Sequence, residues 1–144
     1  MPKALINGVN IYYEVTGTGF PLLWSHELAG AYDSWDAQVS YFSRRYQVIT
    51  YNDRGYPPSD VPAGDQHYSQ DQSVDALYKL LLHLGIRQAY IGGLSMGGGM
   101  TLAFGLAHPV MARALMAAGA GTGSTTPEQF ARETSELAQR LERE

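Results

Sequence analysis

A serine between two glycines, set between two apolar stretches, is the feature that most constrains the fold. Residues 89–94 are typical of a short buried strand and residues 96–107 of a helix, so Ser95 lies in a tight strand-to-helix turn. Such a turn pushes the serine hydroxyl out of the backbone, and it directs the N–H of Met96 towards the site of a developing oxyanion. We therefore predict a nucleophile at Ser95 and an oxyanion donor at Met96. The glycines of this G-x-S-x-G turn are Gly93 and Gly97.

The turn alone leaves a second interpretation open, because glycine-rich strand-to-helix turns also bind phosphate. No Gly-Lys-Ser or Gly-Lys-Thr follows, which excludes a P-loop, and the spacing does not fit a dinucleotide-binding G-x-G-x-x-G. Three successive glycines, 97–99, each cost about 1 kcal/mol relative to alanine in a helix. We expect close packing on the sheet, or room for a substrate, to require them.

Strands and helices alternate along the rest of the chain. Asn7-Gly8 predicts a tight hairpin at the start, and the prolines and glycines of residues 52–68 predict a loop. This alternation predicts an α/β fold, with an N-terminal antiparallel hairpin followed by a mostly parallel sheet that carries helices on both faces. Further strands are predicted at 21–24, 46–51 and 114–118, the first and the last of them buried. Helices are predicted at 34–42, from Ser69 to 84, and from Thr126 onwards.

Composition limits the classes of partner. The chain has 144 residues, a formal charge of -4 and no cysteine, so we expect one domain, no disulfide and no nucleic-acid surface. The N-terminus lacks the apolar region of a signal peptide, and no apolar run reaches membrane-spanning length, so we predict a cytoplasmic protein without a membrane partner. The four histidines do not fit a metal-ligand spacing, and we expect neither a metal nor a cofactor.

With these elements placed, the chain resembles the N-terminal half of the α/β-hydrolase family over essentially its whole length. Residues 22–26 (Leu-Leu-Trp-Ser-His) are similar to the strand that leads into the family's oxyanion loop, and Trp35 lies where members often carry a tryptophan. Residues 52–59 are similar to the family's D-x-R-G-x-G-x-S loop, and residues 93–98 to its nucleophile elbow. The resemblance implies a serine-nucleophile hydrolase of ester-like small acyl substrates.

The resemblance also assigns roles in the loop that follows residues 22–26. It makes the N–H of Leu28 the second oxyanion donor and places His26 at the mouth of the site, either as base or as a brace of the loop. Glu27 stands where the family has glycine, and a carboxylate in the oxyanion hole would oppose the charge that forms there. We therefore expect Glu27 to turn away and bond a loop backbone or Arg54, which itself is expected to brace its loop.

Two further departures concern the second loop. Asn52 and Pro57 replace the aspartate and the second glycine of the family's pattern, which predicts a stiffer structural loop.

The usual catalytic triad cannot be completed after Ser95. In the family an acid and then a histidine follow the serine. Here the one later histidine is His108, which a helix of about 12 residues would carry roughly 18 Å away, and no aspartate follows at all. The base is therefore predicted to be His26, a histidine of a second subunit, or absent.

Two functions follow from this pattern. The first is a hydrolase, weak or incomplete because the acid and histidine are missing downstream. The alternative is a non-catalytic half-domain, either a fragment or a binding or assembly module on a hydrolase scaffold. We expect a truncated hydrolase core over residues 1–126 and a cap-like or interface helix over 127–144. Strand 114–118 would then be a sheet edge, and we predict a homo-oligomer that forms through this strand and helix 127–144.

Overall fold

The structure, a computed structural model, describes residues 2–120 and 126–143. Within these ranges it contains six β-strands and four α-helices. The strands are β1 (Lys3–Ile6), β2 (Val9–Thr16), β3 (Phe20–Ser25), β4 (Tyr46–Tyr51), β5 (Ala89–Leu94) and β6 (Ala112–Ala118). The helices are α1 (Asp36–Phe42), α2 (Gln70–His83), α3 (Met96–Ala107) and α4 (Pro127–Leu141).

All six strands belong to one mixed sheet with the order β1-β2-β4-β3-β5-β6. Strand β2 is antiparallel to both β1 and β4, whereas β4, β3, β5 and β6 run parallel to one another. At the opening hairpin, Asn7 and Gly8 have φ angles of 52° and 76°, the conformation that a tight two-residue turn requires. The predicted α/β class is confirmed, including the antiparallel hairpin that precedes the parallel strands.

Helices cover both faces of the sheet. One face packs against α2 and α3 through a large apolar cluster that includes Leu77, Leu80 and Phe104. On the other face, Trp24 from β3 stacks on Trp35 with ring centroids 4.6 Å apart, and α1 packs against this pair. Strands β3 and β5, which lie between other parallel strands, are mostly buried and mostly apolar.

The predicted helix boundaries are correct in outline. A 3-10 turn (Tyr32–Trp35) precedes α1, so the expected helix over 34–42 divides into two pieces. Ser69 caps α2 by accepting a hydrogen bond from the N–H of Gln72 at 3.2 Å. Gln72 does not complete a capping box with Ser69, because its side chain instead donates to the carbonyl of Gln66.

One expectation for the sheet is wrong, because β6 is exposed rather than buried. From Arg113 to Ala118 its residues are exposed, with Leu115 at 40% and Met116 at 41%. In the described part of the chain β6 pairs only with β5, so it forms the sheet edge that was also expected at 114–118. Apolar composition indicated a buried strand, but burial depends on neighbours that composition does not supply.

Helix α4 has the predicted start, since Thr126 accepts a hydrogen bond from the N–H of Gln129 at 3.2 Å. The residues from Glu128 onwards in this helix are exposed, including its apolar stripe of Phe130, Leu137 and Leu141. Among the helices described, none is both long enough and apolar enough to cross a bilayer.

Candidate active site

Ser95 occupies the turn between β5 and α3 with an unusual backbone conformation. Its φ of 54° and ψ of -112° lie where non-glycine residues are rarely found, a strain of roughly 1–3 kcal/mol that surrounding contacts must hold. One such contact is its own N–H, which donates to the carbonyl of Ala118 at 2.9 Å. The side chain makes no capping bond to α3, and the residue is exposed. The turn therefore presents the hydroxyl to solvent as the sequence predicts for an elbow.

Close packing accounts for two of the three glycines that open α3. A Cβ on Gly97 would collide with the carbonyl oxygen of Ser25 at the end of β3. A Cβ on Gly98 would lie 2.9 Å from the carbonyl oxygen of Ala118, closer than side chains allow. Around Gly99, by contrast, an added Cβ would meet nothing within 4 Å. The sheet thus requires small residues at 97 and 98 but not at 99.

Gly93, on the other side of the serine, is equally constrained. A Cβ there would collide with the carbonyl of Gly97, one turn into α3. Because both glycines of the motif meet backbone rather than flexible side chains, neither position can accept a larger residue without a shift of the elbow.

His26 is buried, and both nitrogens of its ring bond to the backbone. The N–H of Asp53 lies 3.1 Å from Nε2, so Nε2 must accept and the ring proton resides on Nδ1. That proton is donated to the carbonyl of Glu27 at 2.8 Å. With its ring 1% exposed and both nitrogens engaged, the imidazole joins the loop after β3 to the loop after β4.

Glu27 has a different partner from the expected ones. Its Oε1 accepts a hydrogen bond from the Ser34 hydroxyl at 3.0 Å, rather than from a loop N–H or from Arg54. Its Oε2 is buried and has no hydrogen-bond partner among the described residues. The carboxylate lies close against the backbone of Gly30, where a side chain would collide with it. The 3-10 turn before α1, not Arg54, therefore holds Glu27.

Arg54 connects its loop to α2. Its Nη1 donates to the carbonyl of His67 at 3.1 Å and lies 3.3 Å from the Gln72 Oε1. The side chain is 6% exposed, and its Nε and Nη2 have no partner among the described residues. Through these contacts Arg54 stabilises its own loop, the role expected of it.

Asn52, fully buried at the end of β4, holds the second loop with both ends of its amide. Its Oδ1 accepts from the N–H of Tyr32 at 2.6 Å, and its Nδ2 donates to the carbonyl of Pro57 at 2.8 Å and lies 3.4 Å from that of Tyr56. An aspartate could supply only the acceptor half of this arrangement. Asparagine at this position therefore stabilises the conformation of this loop, and these bonds agree with the stiffer structural loop predicted from the sequence.

Ser59 connects the same loop to the sheet. Its hydroxyl donates to the carbonyl of Asn52 at 2.6 Å and accepts from the N–H of Tyr12 in β2 at 2.8 Å. Nearby, the Asp60 carboxylate accepts from the backbone and side-chain nitrogens of Asn10, which lowers the pKa of Asp60. The loop is thus fixed to β2 at several points.

Tyr56 contacts the segments of both predicted oxyanion donors, a contact that no pattern in the sequence predicted. Its hydroxyl donates to the carbonyl of Leu28 at 2.5 Å and lies 3.6 Å from Sδ of Met96. Its ring meets that of His26 edge-on, with centroids 4.5 Å apart. Burial raises the pKa of the Tyr56 hydroxyl, and the negative charges of Asp53 and Glu27 raise it further.

The other histidines lie elsewhere. His108 follows the far end of α3 and stacks on Tyr78 with centroids 3.9 Å apart, and His83 lies beside Tyr13. Within residues 2–120 and 126–143, no histidine ring is hydrogen-bonded to Ser95, and no three His, Cys, Asp or Glu side chains form a metal-binding group.

A groove of about 950 Å³ lies at the opposite end of the sheet from Ser95. Its walls include Phe20 and Gln47, at the amino ends of β3 and β4, and Pro109, after α3. Parallel α/β sheets bind ligands at the carboxyl ends of their strands, so this groove is at the wrong end to serve Ser95.

Comparisons with known proteins identify the family of the fold. A family model for the alpha/beta hydrolase fold matches residues 21–142. The 3-oxoadipate enol-lactonase 2 of Acinetobacter baylyi is 40% identical over 77 residues, which make up 54% of this chain and 28% of that protein. The 2-hydroxymuconate semialdehyde hydrolase of a Pseudomonas species is 32% identical over 115 residues, 78% of this chain and 40% of that protein.

A solved structure shows the same fold. The enol-lactonase from Burkholderia xenovorans superimposes on this chain with a TM-score of 0.86 at 25% identity, and the match covers 94% of this chain and 53% of that one. The chain thus spans about half of this structure and less than half of the two relatives compared by sequence.

Proposed function

The chain belongs to the α/β-hydrolase fold family, and from this premise we propose that it supplies the nucleophile of a serine hydrolase for ester-like small acyl substrates. Ser95 Oγ attacks the acyl carbonyl carbon, and the N–H groups of Met96 and Leu28 stabilise the resulting oxyanion. The observation that carries the proposal is the strained backbone of an exposed Ser95 at the start of α3. Two of the similar proteins are named as enol-lactonases, which supports an ester-like bond as the target.

Met96 suits the role of oxyanion donor because it is the first residue of α3. The first N–H groups of a helix lack intrahelical acceptors and lie at the positive end of its dipole. Leu28, 46% exposed in the loop after β3, is the second donor.

His26 acts in this proposal as the brace of the oxyanion loop, because both of its ring nitrogens are already bonded to backbone groups. The proton acceptor is then a histidine that the described residues of one chain do not bring to Ser95, such as one from a second subunit. Without an acceptor, oxyanion stabilisation and binding alone support only weak turnover.

A second candidate function, a binding or assembly module, is favoured by the exposure of β6 and α4. Strand β6 has Leu115 and Met116 about two-fifths exposed, and α4 exposes the apolar stripe of Phe130, Leu137 and Leu141. An apolar edge strand is a template for pairing with another strand. We propose that two copies associate through β6 and α4. Small-molecule substrates and a cytoplasmic location remain predictions.

The hydrolase proposal is tested by the hydrolysis of short-chain p-nitrophenyl esters and of a simple lactone. We expect slow turnover by the wild-type chain, none above the buffer rate for Ser95→Ala, and no change for Ser40→Ala, which alters an exposed serine on α1. Turnover that persists in Ser95→Ala would contradict the nucleophile. No turnover in the wild-type chain would favour the binding or assembly module.

A further inference from the structure

The two proposed oxyanion donors lie on separate segments, and a third segment touches both. Leu28 belongs to the loop after β3, and Met96 begins α3 after β5. Tyr56, in the loop after β4, contacts the carbonyl of Leu28 and the thioether of Met96 with one hydroxyl. We propose that Tyr56 is a positioning residue that fixes the Leu28 segment relative to Met96, an inference that rests on the proposed function.

The contact with Leu28 restrains a tight turn. The N–H of Gly30 donates to the carbonyl of Glu27 at 3.1 Å, so Leu28 and Ala29 are the two central residues of a β-turn. The carbonyl of Leu28 belongs to the central peptide of this turn, the peptide that can rotate between turn types. A hydroxyl bonded to this carbonyl at 2.5 Å opposes that rotation and holds Leu28 at its place beside the elbow.

Tyr56 itself is firmly held, which a positioning residue requires. Its N–H donates to the carbonyl of Asp53 at 3.1 Å, and its carbonyl accepts from the N–H of Ser59 at 3.0 Å. Its ring lies edge-on against His26, which bonds to the same two loops. The position of the Tyr56 hydroxyl is therefore set by the buried loop and not by the oxyanion segment that it holds.

The hydroxyl also remains a donor over the working pH range. Burial, followed by the charges of Asp53 and Glu27, raises the pKa of Tyr56 above its ordinary value, so the proton is retained at neutral and mildly alkaline pH. A tyrosinate could not donate to the carbonyl of Leu28.

The test compares Tyr56→Phe with Tyr68→Phe as the matched control. The Tyr68 hydroxyl donates to the carbonyl of Pro62 at 2.7 Å, a bond of the same kind that touches neither oxyanion segment. Amide hydrogen exchange at Gly30, whose N–H closes the turn, is measured for both variants and for the wild-type chain. We expect Tyr56→Phe to accelerate exchange there about five- to tenfold, the effect of one lost hydrogen bond, and Tyr68→Phe to leave it unchanged.

Ester hydrolysis provides the second measurement. In Tyr56→Phe we expect kcat to fall roughly tenfold with KM little changed, because a loosened oxyanion donor weakens transition-state stabilisation more than substrate binding. Unchanged exchange at Gly30 would overturn the inference, as would faster exchange with an unaltered kcat. An inactive wild-type chain would contradict the proposed hydrolase. Hydrogen exchange does not require turnover, so it would still decide whether Tyr56 holds the Leu28 segment.

Discussion

The loop of residues 52–60 and strand β6 contrast in burial. The irregular loop is largely buried, whereas the strand is exposed. The loop contains no helix or strand, yet Asn52, Arg54 and Ser59 are each no more than 6% exposed. Strand β6 pairs with β5 along its length, apart from one shift in register at Arg113, yet Leu115 and Met116 are 40% and 41% exposed. Regular backbone pairing therefore does not by itself bury a segment.

The difference lies in where each segment finds its partners. In the loop, side chains satisfy backbone groups of several segments at once, as Asn52 does for Tyr32 and Pro57. In β6 the backbone pairs on one side only within the described residues. We infer that the loop fixes the geometry around Ser95, whereas β6 offers a surface for association.

The largest effect is expected where the elbow packs on the sheet. Gly97→Ala should destabilise the fold by roughly 3 kcal/mol or more, because the new Cβ meets the backbone of Ser25, which cannot move aside as a side chain would. Urea unfolding measures the change. A loss below about 1 kcal/mol would show that the elbow can shift without penalty.

A smaller loss is expected inside the loop. Asn52→Asp should lower the free energy of unfolding by about 2–3 kcal/mol at pH 8, because a carboxylate would face the carbonyls of Tyr56 and Pro57 without a donor. Gln88→Glu, an amide-to-acid change at an exposed site, should cost less than about 0.5 kcal/mol.

The pH dependence of Asn52→Asp identifies the cause. Burial raises the pKa of the new carboxyl in the folded state, so the folded variant binds its proton more tightly and loses stability as pH rises through that pKa. The deficit relative to the wild-type chain should therefore be smaller at pH 4 than at pH 8. An equal deficit at both values would indicate a packing defect instead.

Gly99→Ala should have a smaller effect of opposite sign. Nothing lies within 4 Å of the added Cβ, so the higher helix propensity of alanine should stabilise the fold by about 0.5–1 kcal/mol. The rise would appear in thermal unfolding, with Gly98→Ala as the matched control that loses stability. A loss of stability in Gly99→Ala would contradict the open space around residue 99 and indicate a contact there other than packing on the sheet.

The smallest effect on stability is expected at β6. Met116→Lys should change the free energy of unfolding by less than about 0.5 kcal/mol, yet convert a dimer into a monomer, because a charge on an edge strand opposes pairing. Sedimentation velocity at micromolar concentration distinguishes the two states. Leu5→Lys, on the exposed β1 edge of the sheet, should leave the dimer intact. A wild-type chain that sediments as a monomer would contradict the proposed association.

The sequence was sufficient where a short motif dictates its own backbone. The hairpin at Asn7-Gly8 and the capped start of α2 at Ser69 needed only local turn and capping chemistry. The strand-to-helix turn at Ser95 is of the same kind, since its glycines leave few other conformations.

The remainder depends on contacts between distant segments. Tyr56 meets Leu28 and Met96 only because three loops converge at one end of the sheet, and no local spacing encodes that. The partner of Glu27, Ser34, was missed because the 3-10 turn before α1 was expected as ordinary helix. For β6, apolar composition wrongly indicated a buried strand, whereas the resemblance to the family correctly indicated a strand at the sheet edge.

Intact-mass spectrometry after exposure to a fluorophosphonate tests the central claim, that Ser95 is an activated nucleophile, without a choice of substrate. We predict one stoichiometric adduct on the wild-type chain, located on the peptide that contains Ser95, and none on Ser95→Ala. An unlabelled wild-type chain, or an adduct that persists in Ser95→Ala, would contradict the claim and leave the elbow as architecture alone.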